Sequence, residues 1–196
     1  MAKKDIILSG VGGQGILSIA TVIGWAALDQ NLHLKQAEVH GMSQRGGDVQ
    51  SNLRISTERI WSDLIPKGEC DLILSLEPME ALRYLPWLSK GGWIVTNSTP
   101  FVNIPNYPPV EEITAELQKI GNVITLDCDE IAKQTGSPRS ANMVLLGASA
   151  AVLEILDPEK LREGITNVFS RKGEKIVEMN IAAFNAGQEV SKNFSK

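Results

Sequence analysis

Residues 5–27 read DIILSGVGGQGILSIATVIGWAA, and this stretch decides the fold class of the chain. Its first part, Ile6 to Leu8, is a short apolar run typical of a buried strand, and a glycine-rich segment ends it. After Gly15, apolar residues return at the spacing of one helix face. The stretch therefore predicts a strand, a tight turn and a helix, which is the opening unit of an α/β sheet.

Further predicted strands follow up to residue 126. Apolar segments predict strands at 32–39, 71–76, 93–96 and 122–126. Residues 48–55 instead alternate polar and apolar side chains, the pattern of a strand with one face in water. Because an alternating strand beside fully apolar ones is typical of antiparallel pairing, we predict a mixed sheet.

Helices are predicted in some of the segments between these strands and in most of the C-terminal third. Apolar spacing predicts one helix from Pro78 to Leu88, ended by Gly91 and Gly92, and another over 111–120. From residue 129 onward the pattern is helical, with breaks at glycine and proline. Gly147, Ala148 and Ala151 put small side chains on one of these helices, which allows another backbone to approach closely.

Together these elements predict a doubly wound, mostly parallel but mixed, Rossmann-like sheet with a helical C-terminal elaboration. We expect a single domain over residues 1–196, with the sheet in 1–126 and the helical part in 127–196.

Composition excludes several classes of protein. Among 196 residues, Lys and Arg number 19 and Asp and Glu 23, so the net charge of −4 argues against a dedicated nucleic-acid binder. With 43% hydrophobic and 21% charged residues, the composition is that of an ordinary globular protein. It contains no apolar run long enough for a membrane span and no secretory signal pattern, so we expect a cytoplasmic protein that does not bind membranes.

Side chains suited to metal binding or covalent catalysis are few. Cys70 and Cys128 lie far apart, which predicts two buried free thiols and no metal or cluster site in this chain. His33 and His40 have no second pair of ligands nearby in the sequence. No complete catalytic constellation is present, so the residues predict no catalytic residues in this chain.

The first candidate site is a G-x-G-x-x-G turn between the first strand and helix. It is formed by Gly10, Gly12, Gly13, Gln14 and Gly15. Such a turn allows an anion to approach free amides at the start of the helix. For a dinucleotide site, Asp29 has the required spacing but lies at the end of the predicted helix, and Glu38 is better placed but farther along. An anion, a partner protein and an NAD(P) cofactor all remain open as ligands.

The second candidate site is the loop between the second and third predicted strands. It contains Ser43, Gln44, Arg45, Gly46 and Gly47. In a doubly wound sheet this loop shares an edge with the glycine turn, and ligands bind at that edge. An arginine beside two glycines offers a guanidinium group next to accessible backbone, so we expect a ligand or a partner subunit here.

Both sites occur in segments that resemble a known family. Residues 10–17 (GVGGQGIL), 40–47 (HGMSQRGG) and 52–56 (NLRIS) resemble the gamma-type subunit or domain of 2-oxoacid:ferredoxin oxidoreductases. The sequence of residues 40–47 is most similar to that of indolepyruvate ferredoxin oxidoreductases, and residues 71–74 and 142–147 also resemble the family. The resemblance covers most of the chain.

The resemblance implies a subunit that is inactive alone and supports the CoA-dependent oxidative decarboxylation of a 2-oxoacid, with electrons passed to ferredoxin. It implies a large (alpha) partner subunit that carries thiamine diphosphate and iron–sulfur clusters, because this chain has neither a thiamine diphosphate motif nor a cysteine run. An isolated subunit could form a homodimer. The alternative from another class is a free-standing NAD(P)-binding domain of a dehydrogenase.

Overall fold

A computed structural model describes residues 2–40 and 46–192 of the chain. The strands are β1 (Lys3–Val11), β2 (His33–His40), β3 (Asp48–Ser56), β4 (Cys70–Ser75), β5 (Leu88–Asn97) and β6 (Val123–Leu126). The helices are α1 (Ile16–Asp29), α2 (Pro78–Arg83), α3 (Val110–Gln118), α4 (Cys128–Gln134), α5 (Ala141–Ser149), α6 (Pro158–Phe169) and α7 (Glu174–Ser191). The predicted α/β class and the helical C-terminal elaboration are confirmed. Within the described ranges, no helix is both long and apolar enough to cross a lipid bilayer.

The six strands form one mixed sheet in the order β2-β3-β1-β4-β5-β6. β1, β4, β5 and β6 are parallel, whereas β3 is antiparallel to both β1 and β2. The predicted mixed sheet is therefore confirmed, and β3 is its antiparallel strand. Because β3 lies between β1 and β2, β2 is one of the two outer strands of the sheet, and β6 is the other.

Alternate side chains of β1 pack on opposite faces of the sheet, as the two-residue period of a strand requires. Ile6 and Leu8 join the larger hydrophobic cluster, which contains side chains of α1, α4, α5, α6 and α7. Ile7, between them, joins the smaller cluster formed with α2 and α3. The larger cluster combines residues from 1–126 with residues from the helical part, so both parts contribute to one continuous core.

The segment after β4 differs from the sequence prediction. α2 ends at Arg83, a 3₁₀ turn covers Leu85–Trp87, and β5 already begins at Leu88. The predicted helix through Leu88 was wrong because Pro86 has no N–H for a helical hydrogen bond. Gly92 is part of β5, where an added Cβ would lie 2.8 Å from the Cys70 carbonyl oxygen.

Two glycines bring α5 and α7 into backbone contact. A Cβ on Gly147 would lie 1.9 Å from the carbonyl oxygen of Phe184, and a Cβ on Gly187 would lie 1.9 Å from that of Val144. The close backbone approach predicted at Gly147 is confirmed, and it serves packing inside the chain. Ala151, which was assigned to the same helix, lies beyond the end of α5.

Candidate functional site

The glycine turn connects β1 to α1 and is held by the side chain of Gln14. The Gln14 Oε1 atom accepts a hydrogen bond of 2.7 Å from the backbone N–H of Val11. Its Nε2 atom donates one of 3.1 Å to the carbonyl oxygen of Leu76, just beyond β4. Gln14 thus bridges the ends of β1 and β4, between which a doubly wound sheet has its ligand crevice.

Gly46 and Gly47 lie directly against this turn, as the sequence predicts. The N–H of Gly12 donates to the carbonyl oxygen of Gly47 at 2.8 Å, and the N–H of Gly46 donates to that of Gly12 at 3.4 Å. The two glycine segments are therefore hydrogen-bonded neighbours at one sheet edge. Ser43, Gln44 and Arg45 lie outside the described residues.

Asn142, at the start of α5, packs against the glycine turn from the helical part of the chain. Its Nδ2 atom donates to the carbonyl oxygen of Gly15 at 3.2 Å. Gly15 has a φ of 86°, and an added Cβ would lie 2.6 Å from Asn142 Nδ2. Glycine is required here both by the left-handed backbone and by this contact. No pattern in the sequence predicts this pairing across 127 positions.

Several amides of the turn are bound within the chain. The N–H groups of Val11 and Gly12 donate as described above, and that of Gln14 donates to the Val11 carbonyl oxygen at 3.1 Å. An anion at this turn would therefore find fewer free donors than the motif suggests.

The acidic residues considered for a dinucleotide site lie elsewhere. Asp29 is the last residue of α1, and a helix of this length places it about 20 Å from the turn. Its carboxylate forms an ion pair of 2.9 Å with Lys160. Glu38 is exposed on the outer strand β2, separated from β1 by β3, and its Oε1 accepts from Gln36 at 2.6 Å. Neither carboxylate is beside the turn.

A loop after β5 adds apolar side chains to this edge. Asn103 Nδ2 donates to the Gly46 carbonyl oxygen at 2.6 Å, so the loop is attached to the glycine segments. Its neighbours Phe101, Val102 and Ile104 are exposed, Val102 by 65%. We name residues 11–15, 46–47 and 101–104 the turn edge. The contribution of 101–104 is not predicted by the sequence, because several prolines interrupt any regular spacing in this segment.

The buried carboxylate of Glu77 anchors the same loop. Its Oε1 accepts from the Tyr107 hydroxyl and, at 3.4 Å, from the Phe101 N–H, while its Oε2 accepts from the Glu80 N–H at 2.8 Å. Burial, followed by the bond to Glu77, raises the pKa of the Tyr107 phenol. Hydrogen bonds to this one buried carboxylate therefore tie Phe101 and Tyr107 of the loop to the start of α2.

The two cysteines are buried on opposite faces of the sheet, as free thiols. Cys70 belongs to the cluster with α2 and α3, and Cys128 to the larger one. Burial raises the pKa of the Cys70 thiol to about 12 and that of Cys128 well above its usual value. Within the described part of the chain, no three His, Cys, Asp or Glu side chains are grouped to hold a metal. His33 and His40 stand at opposite ends of β2.

Comparison with known proteins identifies the family. The family model described as pyruvate ferredoxin/flavodoxin oxidoreductase matches residues 5–190. The chain belongs to this family. The indolepyruvate oxidoreductase subunit IorB of Pyrococcus horikoshii is 36% identical over 201 aligned positions, which cover 98% of each chain. The chain therefore matches that subunit along nearly its whole length.

Solved structures of pyruvate ferredoxin/flavodoxin oxidoreductase relatives share the fold. The gamma subunit of a keto/oxoacid ferredoxin oxidoreductase from Geobacter sulfurreducens is 28% identical, with a TM-score of 0.69 over 97% of this chain and 99% of that one. The 2-oxoglutarate:ferredoxin oxidoreductase of Magnetococcus marinus has a TM-score of 0.76 over all of this chain but only 32% of its own, at 22% identity. The same fold thus occurs as a separate subunit and as part of a larger chain.

Proposed function

We propose that this chain is the small subunit of a 2-oxoacid:ferredoxin oxidoreductase that acts on indolepyruvate or a related arylpyruvate. In this complex the 2-oxoacid is oxidatively decarboxylated, the acyl group passes to CoA, and the electrons pass to ferredoxin. The 36% identity to an indolepyruvate oxidoreductase subunit, over 98% of both chains, supports the substrate class.

The cofactors belong, in this proposal, to a larger partner subunit. Iron–sulfur clusters are usually held by four cysteine thiolates. This chain has two cysteines, buried on opposite faces of the sheet, so its residues do not fit a cluster. Thiamine diphosphate and the clusters are therefore assigned to the large subunit, and CoA acts as a co-substrate of the complex. Two buried free thiols fit a cytoplasmic location, where thiols stay reduced.

The turn edge is the surface by which the chain would meet the large subunit. The observation that carries this proposal is the combination, on one edge, of a glycine turn already hydrogen-bonded within the chain and exposed Phe101, Val102 and Ile104. An apolar surface next to close-packed glycine backbone suits a flat protein contact better than a charged small molecule. Ser43, Gln44 and Arg45, which the sequence predicts as part of the same site as Gly46 and Gly47, would take part in the same contact.

The NAD(P)-binding alternative has less support. Gln14 bridges the strand ends between which the pyrophosphate of a dinucleotide would lie, and neither Asp29 nor Glu38 is close to the turn. β3, which runs antiparallel, occupies the position next to β1 where a dinucleotide fold has its parallel second strand.

Purification of the tagged chain from its native cells tests the proposal. We expect a large subunit containing thiamine diphosphate and iron to co-purify. The complex should reduce ferredoxin with indolepyruvate and CoA, whereas the isolated chain should be inactive. The proposal is wrong if the chain purifies alone and binds NADH in a fluorescence titration with turnover of a substrate.

Two matched variants test the turn edge. Val102→Asp places a charge in the proposed contact, whereas Leu28→Asp, at a side chain 62% exposed near the end of α1, serves as the control. Both isolated variants should unfold within about 0.5 kcal/mol of the wild type because both sites are exposed. Val102→Asp should weaken binding of the large subunit at least tenfold, as measured by titration calorimetry, and Leu28→Asp should not. Equal binding by both variants would place the contact elsewhere.

The isolated chain offers the same edge to a second copy. In this proposal the homodimer expected without the large subunit is lost in Val102→Asp and kept in Leu28→Asp. Sedimentation velocity at several protein concentrations measures this difference.

A further inference from the structure

A pocket lies in the helical part of the chain, apart from the turn edge. It opens between the 3₁₀ turn Pro138–Ser140, the end of α6 and the first half of α7. Its volume is about 450 Å³, and its apolar wall is formed by Pro138, Phe169, Ile176 and Met179. Pockets for small ligands usually measure between about 300 and 1,000 Å³. We name it the basic pocket, for the two cations described next.

Arg139 and Lys172 line this pocket and are exposed. Neither forms an ion pair with any residue of the described ranges, although many other cations of the chain do. Lys172 Nζ instead lies 5.1 Å from the ring centroid of Phe169, on the pocket wall. In a chain of net charge −4, two unpaired cations beside an apolar cavity give this place a local positive potential.

The polar groups deeper in the pocket are already hydrogen-bonded. The Ser137 and Ser140 hydroxyls lie 2.7 Å apart, and both residues are buried. Asn180 Nδ2 donates to the Ile176 carbonyl oxygen at 2.7 Å. A ligand would therefore gain its main polar interaction from the two cations, and the rest of its contact would be apolar.

From this arrangement we infer that the basic pocket binds a small organic anion with an apolar body, its carboxylate or phosphate group held by Arg139 and Lys172. A guanidinium group forms paired hydrogen bonds with either anion, and the apolar wall accepts an aryl or branched alkyl group. None of the residues lining the basic pocket belongs to the turn edge, so this inference does not depend on the proposed function.

NMR titration of the ¹⁵N-labelled whole chain tests this inference. The probes are 3-phenylpropionate and 2-phenylethyl phosphate, with 3-phenylpropanol as the uncharged control and inorganic phosphate as the anion without an apolar body. We expect saturable shifts of amides in 137–140 and 169–180 with at least one organic anion, and at least tenfold weaker binding of both controls. The tighter organic anion identifies the head group.

Charge variants then separate the pocket from general surface charge. Arg139→Gln and Lys172→Gln should each weaken the organic anion at least fivefold. Arg171→Gln removes the same charge from an adjacent residue that does not line the pocket, and should change binding less than twofold. Shifts that map elsewhere, the absence of saturation, or equal effects of all three variants would each overturn the inference.

Discussion

Gly147→Ala should cost stability although alanine is the better helix former. The added Cβ would meet the Phe184 carbonyl oxygen at 1.9 Å, whereas real Cβ atoms essentially never approach heavy atoms within 3.0 Å. The obstacle is backbone, so α5 and α7 must separate by roughly 1 Å, and overpacking of this kind costs on the order of 3 kcal/mol. Alanine's helix preference returns about 1 kcal/mol. We therefore expect a net loss of about 2 kcal/mol in the free energy of unfolding.

Urea unfolding followed by circular dichroism measures this loss. Gly24→Ala, within helix α1, is the matched control. Its added Cβ would meet only the tip of the Leu34 side chain, at 3.2 Å. It should stay within about 1 kcal/mol of the wild type. Gly187→Ala should resemble Gly147→Ala, and the double variant should lose less than the sum because the helices separate only once. A Gly147→Ala protein as stable as the wild type would refute the backbone contact.

Four further results are expected. Gly15→Ala should destabilise the chain by at least about 1 kcal/mol in thermal unfolding, because its φ of 86° disfavours a side chain and Asn142 occupies the space; unchanged stability would contradict the contact. Tyr107→Phe should cost about 1–3 kcal/mol in urea unfolding by removing a donor from buried Glu77, unlike a change at an exposed site. The folded-state pKa of the Cys70 thiol is raised to about 12, so the unfolded chain loses the thiol proton at lower pH than the folded chain does. The contribution of Cys70 to the free energy of unfolding is therefore full below about pH 9 and falls as pH rises toward about 12. Cys70→Ala should reduce this fall, as measured by urea unfolding between about pH 8 and 10.5. We propose that 1–196 is one folding unit, so a fragment of residues 1–126 should show no cooperative unfolding transition, because it lacks half of the larger core.

Sequence patterns predicted a segment of each of the six strands, because burial on one face leaves an alternating pattern and burial on both faces leaves a continuous apolar run. The alternation in 48–55 predicted β3 and the mixed sheet, but the strand order could not be read from the sequence. The strand order depends on which strand pairs with the free side of β3, and packing across the sheet decides that. The helix predicted through Leu88 was wrong because Pro86 interrupts the helix despite the apolar spacing of this segment.

At the candidate site, the sequence predicted that Gly12 and Gly47 lie close together, but not the side-chain hydrogen bonds that hold the turn in place. The motif treats Gln14 as a variable position, whereas the structure shows its carboxamide joining β1 to the end of β4. That role depends on the Leu76 carbonyl oxygen, 62 positions away. Asn142 was missed for the same reason, since its acceptor on Gly15 is brought near only by the fold.

The outer position of β2 has a consequence for self-association. A second β2 could add antiparallel to this edge only in registers that pair residues from the same face of the strand, because opposed side chains in an antiparallel ladder share a face. Lys35 and Glu38 are three positions apart and so lie on opposite faces. No antiparallel register of β2 with itself can therefore set lysine opposite glutamate, while some set like charges opposite each other. The charges of this strand therefore disfavour the antiparallel registers that set Lys35 opposite Lys35 or Glu38 opposite Glu38, and no antiparallel register offers a compensating ion pair between these two residues.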